Sequence, residues 1–413
     1  MNRLHSILVG GCLVSASFCA PAAASAQSAS APPPQGGADG QGARLHWGPL
    51  ALDPKIAISN VGVDSNVFNA SANPERDFNI SAGPQVDSWL RVGRLYFNGQ
   101  TNVGFTYFRK AKDQRSTDFG QKGRLEVRTV HFTPHVAGSY LNSHQRLNAE
   151  IDARVARTGV EAVAGVLVPI GVRTSMDVEA VSSRFRFNDD EVEGESLSQQ
   201  LDRDTRGATL RFNFQFSPLT NFVVRTDLRQ DRFETAVERD SNSVSVLPGV
   251  EFRRDALLSG AAFVGFRRFM ARSADVPDYS GLVSDVNLRF EARERLKVAF
   301  KVMRDVDYSI DPLTPYFVST GGDVTVNQGI GGGWDIAGRA GFTRLGYRAL
   351  KSLGVLGGLD RNDDLRILGT GIGRTLASGI RLGFDFDHAR RTSDLASREY
   401  SGFRAGGTVS YGF

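Results

Sequence analysis

Apolar and polar residues alternate with a period of two through the last stretch of the chain, from Gly402 to Phe413. Successive side chains of a β-strand point to opposite faces, so this pattern predicts a strand with one apolar and one polar face. The polar face carries Arg404. An apolar final strand suits a sheet that closes on itself within lipid, where the last strand pairs with the first. The apolar face comprises Phe403, Ala405, Val409, Tyr411 and Phe413.

The same alternation recurs from Lys55 onward, for example in 210–216, 286–291 and 380–386. Short and long breaks alternate between these segments. The short breaks lie near 91–94, 133–135, 168–171, 217–221, 253–255, 293–295, 331–333 and 376–379. The longer, polar breaks lie near 64–76, 110–118, 144–150, 187–202, 235–240, 271–278, 309–315, 349–361 and 394–397. This layout predicts an all-β chain that forms a transmembrane antiparallel up-and-down β-barrel. We expect about 18 strands (16 if the first hairpin is weak), with both termini on the short-turn side.

A soluble β-sandwich or β-propeller is the alternative fold for an alternating sequence. A sandwich needs a second buried face, whereas polar residues alternate here too regularly. A propeller would repeat a blade of about forty residues, and no such repeat is visible. The mean hydropathy of −0.23 does not contradict a barrel, because lipid-facing and inward-facing residues average out along each strand.

The N-terminal segments differ from the rest of the chain. Residues 1–26 have the features of a secretory signal peptide: Arg3, an apolar run over 7–18, and small residues at 24–26. Residues 27–44 are small and rich in Pro and Gly, and they predict a disordered periplasmic tether over 27–50, with the barrel over 51–413. Both cysteines lie within the signal, so the mature chain would have neither a disulfide nor a thiol nucleophile.

Composition and motifs argue against nucleic-acid binding and catalysis. The chain has 49 basic and 45 acidic residues, a near balance that is unusual for a nucleic-acid partner despite a pI of 9.1. His131 and His135 have the spacing of a helical zinc pair, but on strands they would lie about 13 Å apart. Ser393, near His388 and Asp385, lacks a nucleophile-elbow motif. We therefore predict no enzyme, no cofactor and no metal.

Charged residues on the polar faces of the strands predict an arginine-rich interior, because charge on the lipid face would cost several kcal/mol. Two interpretations remain open at this point: a paired ionic network that fills the barrel, or a water-filled path for anionic or sugar-like solutes. The predicted inward acids are Asp227, Asp285, Glu291, Asp335 and Asp385. The predicted pore-lining residues are Arg211, Arg225, Arg229, Arg289, Arg339 and Arg381.

One loop, 188–195, is strongly acidic. It could fold inward and constrict the pore opposite the arginines, although a solvated outer loop is the more common fate of such a run. The candidate constriction residues are Asp189, Asp190, Glu191, Glu193 and Glu195.

Several short motifs lie along 51–350. They are Asp64-Ser65-Asn66 within 62–68, Ser217-Pro218-Leu219-Thr220, 232–234 with 239–241, 263–269, 278–281, 304–309 and Pro315-Tyr316. Together these motifs resemble those of a family of outer-membrane β-barrel porins that are found with exopolysaccharide and capsule gene clusters. The resemblance implies a Gram-negative outer-membrane location and a role in polysaccharide export, and it supplies no catalytic residues.

We therefore expect a porin-like protein involved in exopolysaccharide export. The alternatives are a general diffusion or small-anion porin, and a non-conducting barrel that serves as partner of a secretion complex. The expected partners are outer-membrane lipid, the barrel-assembly machinery and either polysaccharide or small anionic solutes. The C-terminal pattern resembles the signal read by that machinery, with Val409, Tyr411 and Phe413 as its residues.

Overall fold

The computed structural model of the chain describes residues 40, 42–192, 194–253, 256–292, 295–354 and 361–412. The predicted signal peptide, residues 27–39 of the predicted tether, Glu193 and Phe413 lie outside the described residues. Among the described residues, no helix is long and apolar enough to cross a membrane.

Eighteen long strands, here numbered β1 to β18, make up most of the chain. The first nine are β1 Leu50–Asp64, β2 Asp77–Val92, β3 Leu95–Phe108, β4 Ser116–Val127, β5 Thr133–Arg146, β6 Arg154–Pro169, β7 Thr174–Phe187, β8 Arg203–Ser217 and β9 Thr220–Phe233. The others are β10 Ser241–Phe252, β11 Leu258–Ala271, β12 Tyr279–Ala292, β13 Leu296–Tyr308, β14 Tyr316–Gly331, β15 Trp334–Arg348, β16 Asn362–Thr375, β17 Arg381–Ser393 and β18 Tyr400–Tyr411.

Each strand pairs antiparallel with the next, and β18 pairs with β1, so the sheet is a closed barrel. This confirms the predicted fold class and the count of eighteen. The short connections lie at one end of the barrel, the turn end, together with the start of β1 and the end of β18. The nine longer connections lie at the opposite end, the loop end. The closing pairs include Ile56 with Tyr411 and Asp64 with Arg404.

The outer face of the barrel is apolar. Val264, Phe266 and Leu282 are 52%, 63% and 51% exposed, and in β18 the predicted apolar face (including Val409 and Tyr411) points outward. An apolar band of this kind is stable only when lipid covers it, so the barrel spans a membrane. The opposite face of every strand points into the interior of the barrel, called here the bore.

A charge placed on the outer face tests this orientation. Val264 lies near the middle of β11, and we expect Val264→Arg to lower the free energy of unfolding in lipid vesicles by about 2–4 kcal/mol. Val264→Leu, which keeps the face apolar, should change the stability by less than about 1.5 kcal/mol. Urea titration of both variants measures the difference, and equal stabilities would mean that this face does not contact lipid.

The last residues of the predicted tether are part of the fold, which is a correction to its boundary at residue 50. Leu45–Trp47 form a short strand whose residues pair with those of β1, from Leu45 with Leu52 to Trp47 with Leu50. The reason is that β1 and β18 are offset along the barrel axis: β1 begins at Leu50, but its first residue paired with β18 is Ile56. β1 extends at the turn end beyond its first partner in β18, and the short strand supplies hydrogen-bonding groups to this overhang.

Candidate functional site

The six predicted pore-lining arginines all lie on the inner face. In register, Arg225 pairs with Arg211 and Leu247, and it shares its face with the fully buried Val223. Its Nη1 atom lies 3.5 Å from Oδ2 of Asp285, which belongs to β12, three strands away. Side chains on non-adjacent strands can meet in this way only on the concave side of the sheet. The same register argument places Arg229, Arg289, Arg339 and Arg381 in the bore.

Most of these arginines form ion pairs with the inward carboxylates. Arg381 donates twice to Asp335, at 2.9 and 2.6 Å. Arg339 lies 3.1 Å from Asp385 and 2.7 Å from Asp387. The other pairs are Arg211 with Glu251, Arg225 with Asp227, Arg229 with Asp231 and Arg404 with Asp64. The bore wall therefore carries a network of paired charges, which is the first of the two interpretations left open by the sequence.

A few charged side chains of the bore stay exposed. Arg289 is exposed and forms no ion pair with any described residue, and Lys122 is exposed on the same face, level with Gln100 and Ser139. Glu291, two residues after Arg289, is exposed as well. These groups face water and can interact with a solute, which fits the second interpretation. Both interpretations thus apply to different parts of the wall.

A loop between β5 and β6, residues 147–153 (the crossing loop), extends across the loop end of the bore. Glu150 accepts hydrogen bonds from the Ser309 hydroxyl at 2.6 Å and from the backbone N–H of Ile310 at 3.2 Å. Ser309 and Ile310 connect β13 to β14, eight strands away in a barrel of eighteen. That position is close to diametrically opposite. The crossing loop therefore narrows the mouth of the bore.

The crossing loop is held by Arg391, a buried residue of β17 that also pairs with Asp363 of β16. Arg391 donates to the carbonyl oxygens of Ala149 and Glu150 at 2.9 and 3.2 Å and to the Asp152 carboxylate. Its other amino group lies 2.5 Å from Asp363, and its side chain is 2% exposed. A buried guanidinium whose donors are used in this way is costly to remove, because its carboxylate partners would remain buried.

Apolar side chains from other loops and from the adjoining ends of the strands pack around the crossing loop. They form the mouth cluster, a hydrophobic core inside the barrel at its loop end. Its buried members are Leu147, Ile151, Val155, Phe187, Leu197, Leu201, Phe233, Ala236, Phe269, Val276, Tyr308, Ile310 and Tyr316. Arg239 ties two further loops together by donating to the carbonyl oxygens of Ser309 and Ile310.

Burial perturbs the acids of the crossing loop. It raises the pKa of Glu150 to about 7, although the Ser309 hydroxyl and the Arg398 and Arg361 guanidinium groups oppose the shift. Burial also raises the pKa of Asp152, opposed by Arg391. Both shifts arise because a carboxylate loses its hydration when the crossing loop is buried. The crossing loop therefore contains a carboxyl that titrates near neutral pH.

The acidic loop predicted to constrict the pore has a different arrangement. Asp189 accepts a hydrogen bond from Ser198 at 2.5 Å, Asp190 from the backbone N–H of Ala156 at 3.2 Å, and Glu195 from Gln200 at 3.1 Å. Asp189 and Glu191 are exposed. Water solvates these carboxylates at little cost, whereas burying them would be expensive. Among the described residues, the crossing position is thus taken by 147–153 rather than by Asp189, Asp190, Glu191 or Glu195.

Sequence reasoning missed the crossing loop, although a signal is present. Residues 147–153 have the sequence Leu-Asn-Ala-Glu-Ile-Asp-Ala, an alternation of apolar and polar residues that begins inside the predicted outer loop 144–150. An exposed loop is expected to be polar, without apolar residues at every second position. The pattern indicates a segment that is buried on one side.

The comparison with protein families decides what kind of barrel this is. A family model described as "Putative beta-barrel porin 2" matches residues 39–407. The chain belongs to this family. It is therefore an outer-membrane β-barrel porin, and its family and fold point to a channel rather than to an enzyme. Nothing in the family description mentions exopolysaccharide or capsule genes. The loop end of the porin faces the outside of the cell, since the short turns of such barrels are periplasmic.

Three solved structures are similar to this chain over most of their length. OpdK from Pseudomonas aeruginosa is 10% identical, with a TM-score of 0.46 over 87% of this chain and 98% of that chain. A BenF-like porin from Pseudomonas fluorescens Pf-5 is 8% identical, with a TM-score of 0.46 over 88% and 99%. OccAB2 from Acinetobacter baumannii is 9% identical, with a TM-score of 0.45 over 87% and 97%. No curated protein sequence matches the chain.

Proposed function

We propose that this porin is a passive channel for small polar solutes, with a preference for anions. The observation that carries the proposal is the crossing loop, which narrows the mouth from the β5–β6 side to the opposite wall. A bore of eighteen strands is otherwise wide enough for an aqueous channel. A narrowed mouth and a charged wall favour small solutes whose hydration can be replaced by polar side chains.

The anion preference rests on the exposed basic groups of the bore. Arg289 and Lys122 can meet a passing carboxylate or phosphate, and the guanidinium of Arg289 offers a fork of donors to such groups. The paired arginines contribute less, because their charge is already balanced by neighbouring carboxylates. The exposed carboxylate of Glu291 lies near Arg289 and repels anions, so we expect the anion preference to be moderate.

Export of an exopolysaccharide, the role implied by the family resemblance, is not our proposal. The family description does not include it, and a mouth crossed by a buried loop is poorly suited to a continuous polymer. The non-conducting partner of a secretion complex remains a distinct outcome of the test below, because such a barrel would form no pores.

Planar bilayer recordings test the proposal. We expect discrete conductance steps and, under a tenfold KCl gradient, a reversal potential on the side of chloride selectivity. Arg289→Gln should move the reversal potential toward cation selectivity, because it removes an exposed positive charge from the bore. Glu291→Gln, two residues away on the same strand, is the matched control and should move it in the opposite direction. Equal reversal potentials in both variants would contradict the anion preference, and an absence of pores would contradict the channel.

A further inference from the structure

Three ligand-type side chains meet on the bore wall near the turn end, apart from the crossing loop and from the exposed basic groups. His135 lies on β5, and Asp177 and Glu179 lie on β7. One ligand atom from each lies within 4.8 Å of the others. The Nε2 atom of His135 is 2.9 Å from Oε1 of Glu179 and 3.8 Å from Oδ1 of Asp177. All three residues are buried.

A glycine on the strand between them makes room for this arrangement. In register, Gly165 of β6 pairs with His135 on one side and with Glu179 on the other. A Cβ atom at this position would lie 2.6 Å from Nε2 of His135 and 2.8 Å from Cγ of Glu179. Any larger residue would therefore separate the imidazole from the carboxylate. The backbone leaves a space into which the side chains from both sides converge.

One oxygen of the cluster accepts no hydrogen bond from any residue that the structure describes. Asp177 is 6% exposed, and its Oδ1 atom is buried without a hydrogen bond among the described residues. A buried carboxylate oxygen without a partner is unfavourable by an amount comparable to a lost charged hydrogen bond. This oxygen is the one that lies 3.8 Å from the imidazole nitrogen. A cation between the two groups would satisfy it.

The donor set matches a particular class of ion. One imidazole nitrogen and two carboxylate oxygens are ligands that Zn²⁺ and similar transition-metal ions accept, whereas Mg²⁺ and Ca²⁺ prefer oxygen alone. Bonds of about 2.0–2.1 Å in a tetrahedral site place neighbouring ligand atoms about 3.3 Å apart. The separations of 2.9 and 3.8 Å lie on either side of that value. Small rotations of the side chains would suffice to bind the ion.

Arg124 of β4 is the competing cation. Its Nη1 atom lies 3.5 Å from Glu179 and its Nε atom lies 3.6 Å from Glu126, so the guanidinium has a second carboxylate to pair with. Its side chain is 28% exposed, which leaves it free to move toward the bore. Binding of a metal ion would shift Arg124 toward Glu126.

We propose that His135, Asp177 and Glu179 form a binding site for a divalent transition-metal ion of the Zn²⁺ type on the periplasmic part of the bore wall. The three residues supply three ligands, and the fourth position faces the bore, where water can occupy it. His131, which the sequence spacing pairs with His135, is exposed in the turn between β4 and β5 and has no part in the site.

Calorimetric titration of the full folded barrel in detergent with ZnCl₂ tests the site. The protein must carry no oligohistidine tag, since a tag would bind Zn²⁺ itself. We expect one ion per barrel for the wild type and at least a 100-fold loss of affinity in Asp177→Asn and in Gly165→Ala. Asp177→Asn keeps the shape of the side chain, and Gly165→Ala leaves all three ligands present but separates them. Heat-dependent gel mobility verifies that each variant is folded.

A gain of affinity separates metal binding from loss of fold. Arg124→Gln removes the competing cation and should tighten Zn²⁺ binding several-fold. His131→Gln and His388→Gln are the matched histidine controls and should bind as the wild type does. The proposal is overturned if the wild type binds no Zn²⁺ at millimolar concentration. It is also overturned if Asp177→Asn binds normally, or if the affinity is lost in a control histidine variant instead.

Discussion

Arg391→Met is expected to release the crossing loop and to give the largest change in channel properties. Arg391 is bonded to Ala149, Glu150 and Asp152 of the loop and to Asp363 of the wall. Methionine fills a similar space without charge, so Asp152 would lose its guanidinium partner while still buried. Loss of one partner from a buried ion pair typically costs about 3–5 kcal/mol. The loop can avoid this cost by leaving the mouth, which exposes Asp152 to water.

The expected readouts are a larger single-channel conductance and the passage of oligosaccharides that the wild type excludes, measured by liposome swelling. The barrel itself should remain folded, because its strand ladder does not include the crossing loop. Arg344→Met is the matched control. Arg344 forms a bidentate pair with Asp364 on the two neighbouring strands β15 and β16, but its side chain is 54% exposed. Exposed ion pairs contribute about 0–1 kcal/mol to stability. Loss of this pair should therefore leave the structure, and with it the conductance, unchanged. Equal conductance of Arg391→Met and the wild type would show that the loop does not limit the channel.

The barrel could be predicted from the sequence because lipid imposes the same requirement on every strand. A charged residue on the outer face is costly near the middle of the membrane. Arg225 lies in the interior of β9, so its odd or even position in the strand is sufficient to place it in the bore. The connections between strands alternate between short and long, so their lengths then show which of them lie at the turn end and which at the loop end. The short strand Leu45–Trp47 escaped prediction because the need for it depends on how far β1 extends beyond β18, which is a property of the closed sheet.

The site was less predictable because its contacts join distant parts of the chain. Arg391 and Ala149 are 242 residues apart, and Glu150 and Ser309 are 159 apart. The odd or even position of a residue in its strand gives the face of the side chain but not its partner. Pairs such as Arg225 with Asp285 depend on the curvature of the barrel. The acidic run at 189–195 drew attention because charge is conspicuous in a sequence. The apolar positions of 147–153 were the better indicator of a segment that enters the bore.

The pH dependence of the channel should follow the titration of Glu150. Its pKa is raised from 4.5 to about 7 when the crossing loop is in the mouth, whereas an undocked loop would have the ordinary value. Docking is therefore strongest below pH 4.5, where the carboxyl is protonated in both states. It weakens as the pH rises from 4.5 to about 7 and is constant above that. One pKa unit corresponds to about 1.4 kcal/mol, so the shift weakens docking by about 3 kcal/mol in all.

The surrounding charges do not reverse this sign. An arginine guanidinium keeps its charge at any pH in this range, so the positive charges around the loop stay constant. Burial raises the pKa of Asp152 as well, so its effect has the same sign. Conductance measured between pH 4.5 and 8 should therefore rise with pH as the loop leaves the mouth more often.

Glu150→Gln isolates the responsible group. Glutamine keeps an oxygen that can accept from Ser309 and Ile310 but has no charge, so the variant should show a low conductance and lose most of the pH dependence. Asp189→Asn, in the exposed acidic loop, is the control and should follow the wild-type curve. If Glu150→Gln keeps the full pH dependence, the titrating group lies elsewhere. If its conductance is high at every pH, the carboxylate contributes to docking in its charged form, because Arg398 and Arg361 would then outweigh the cost of burial.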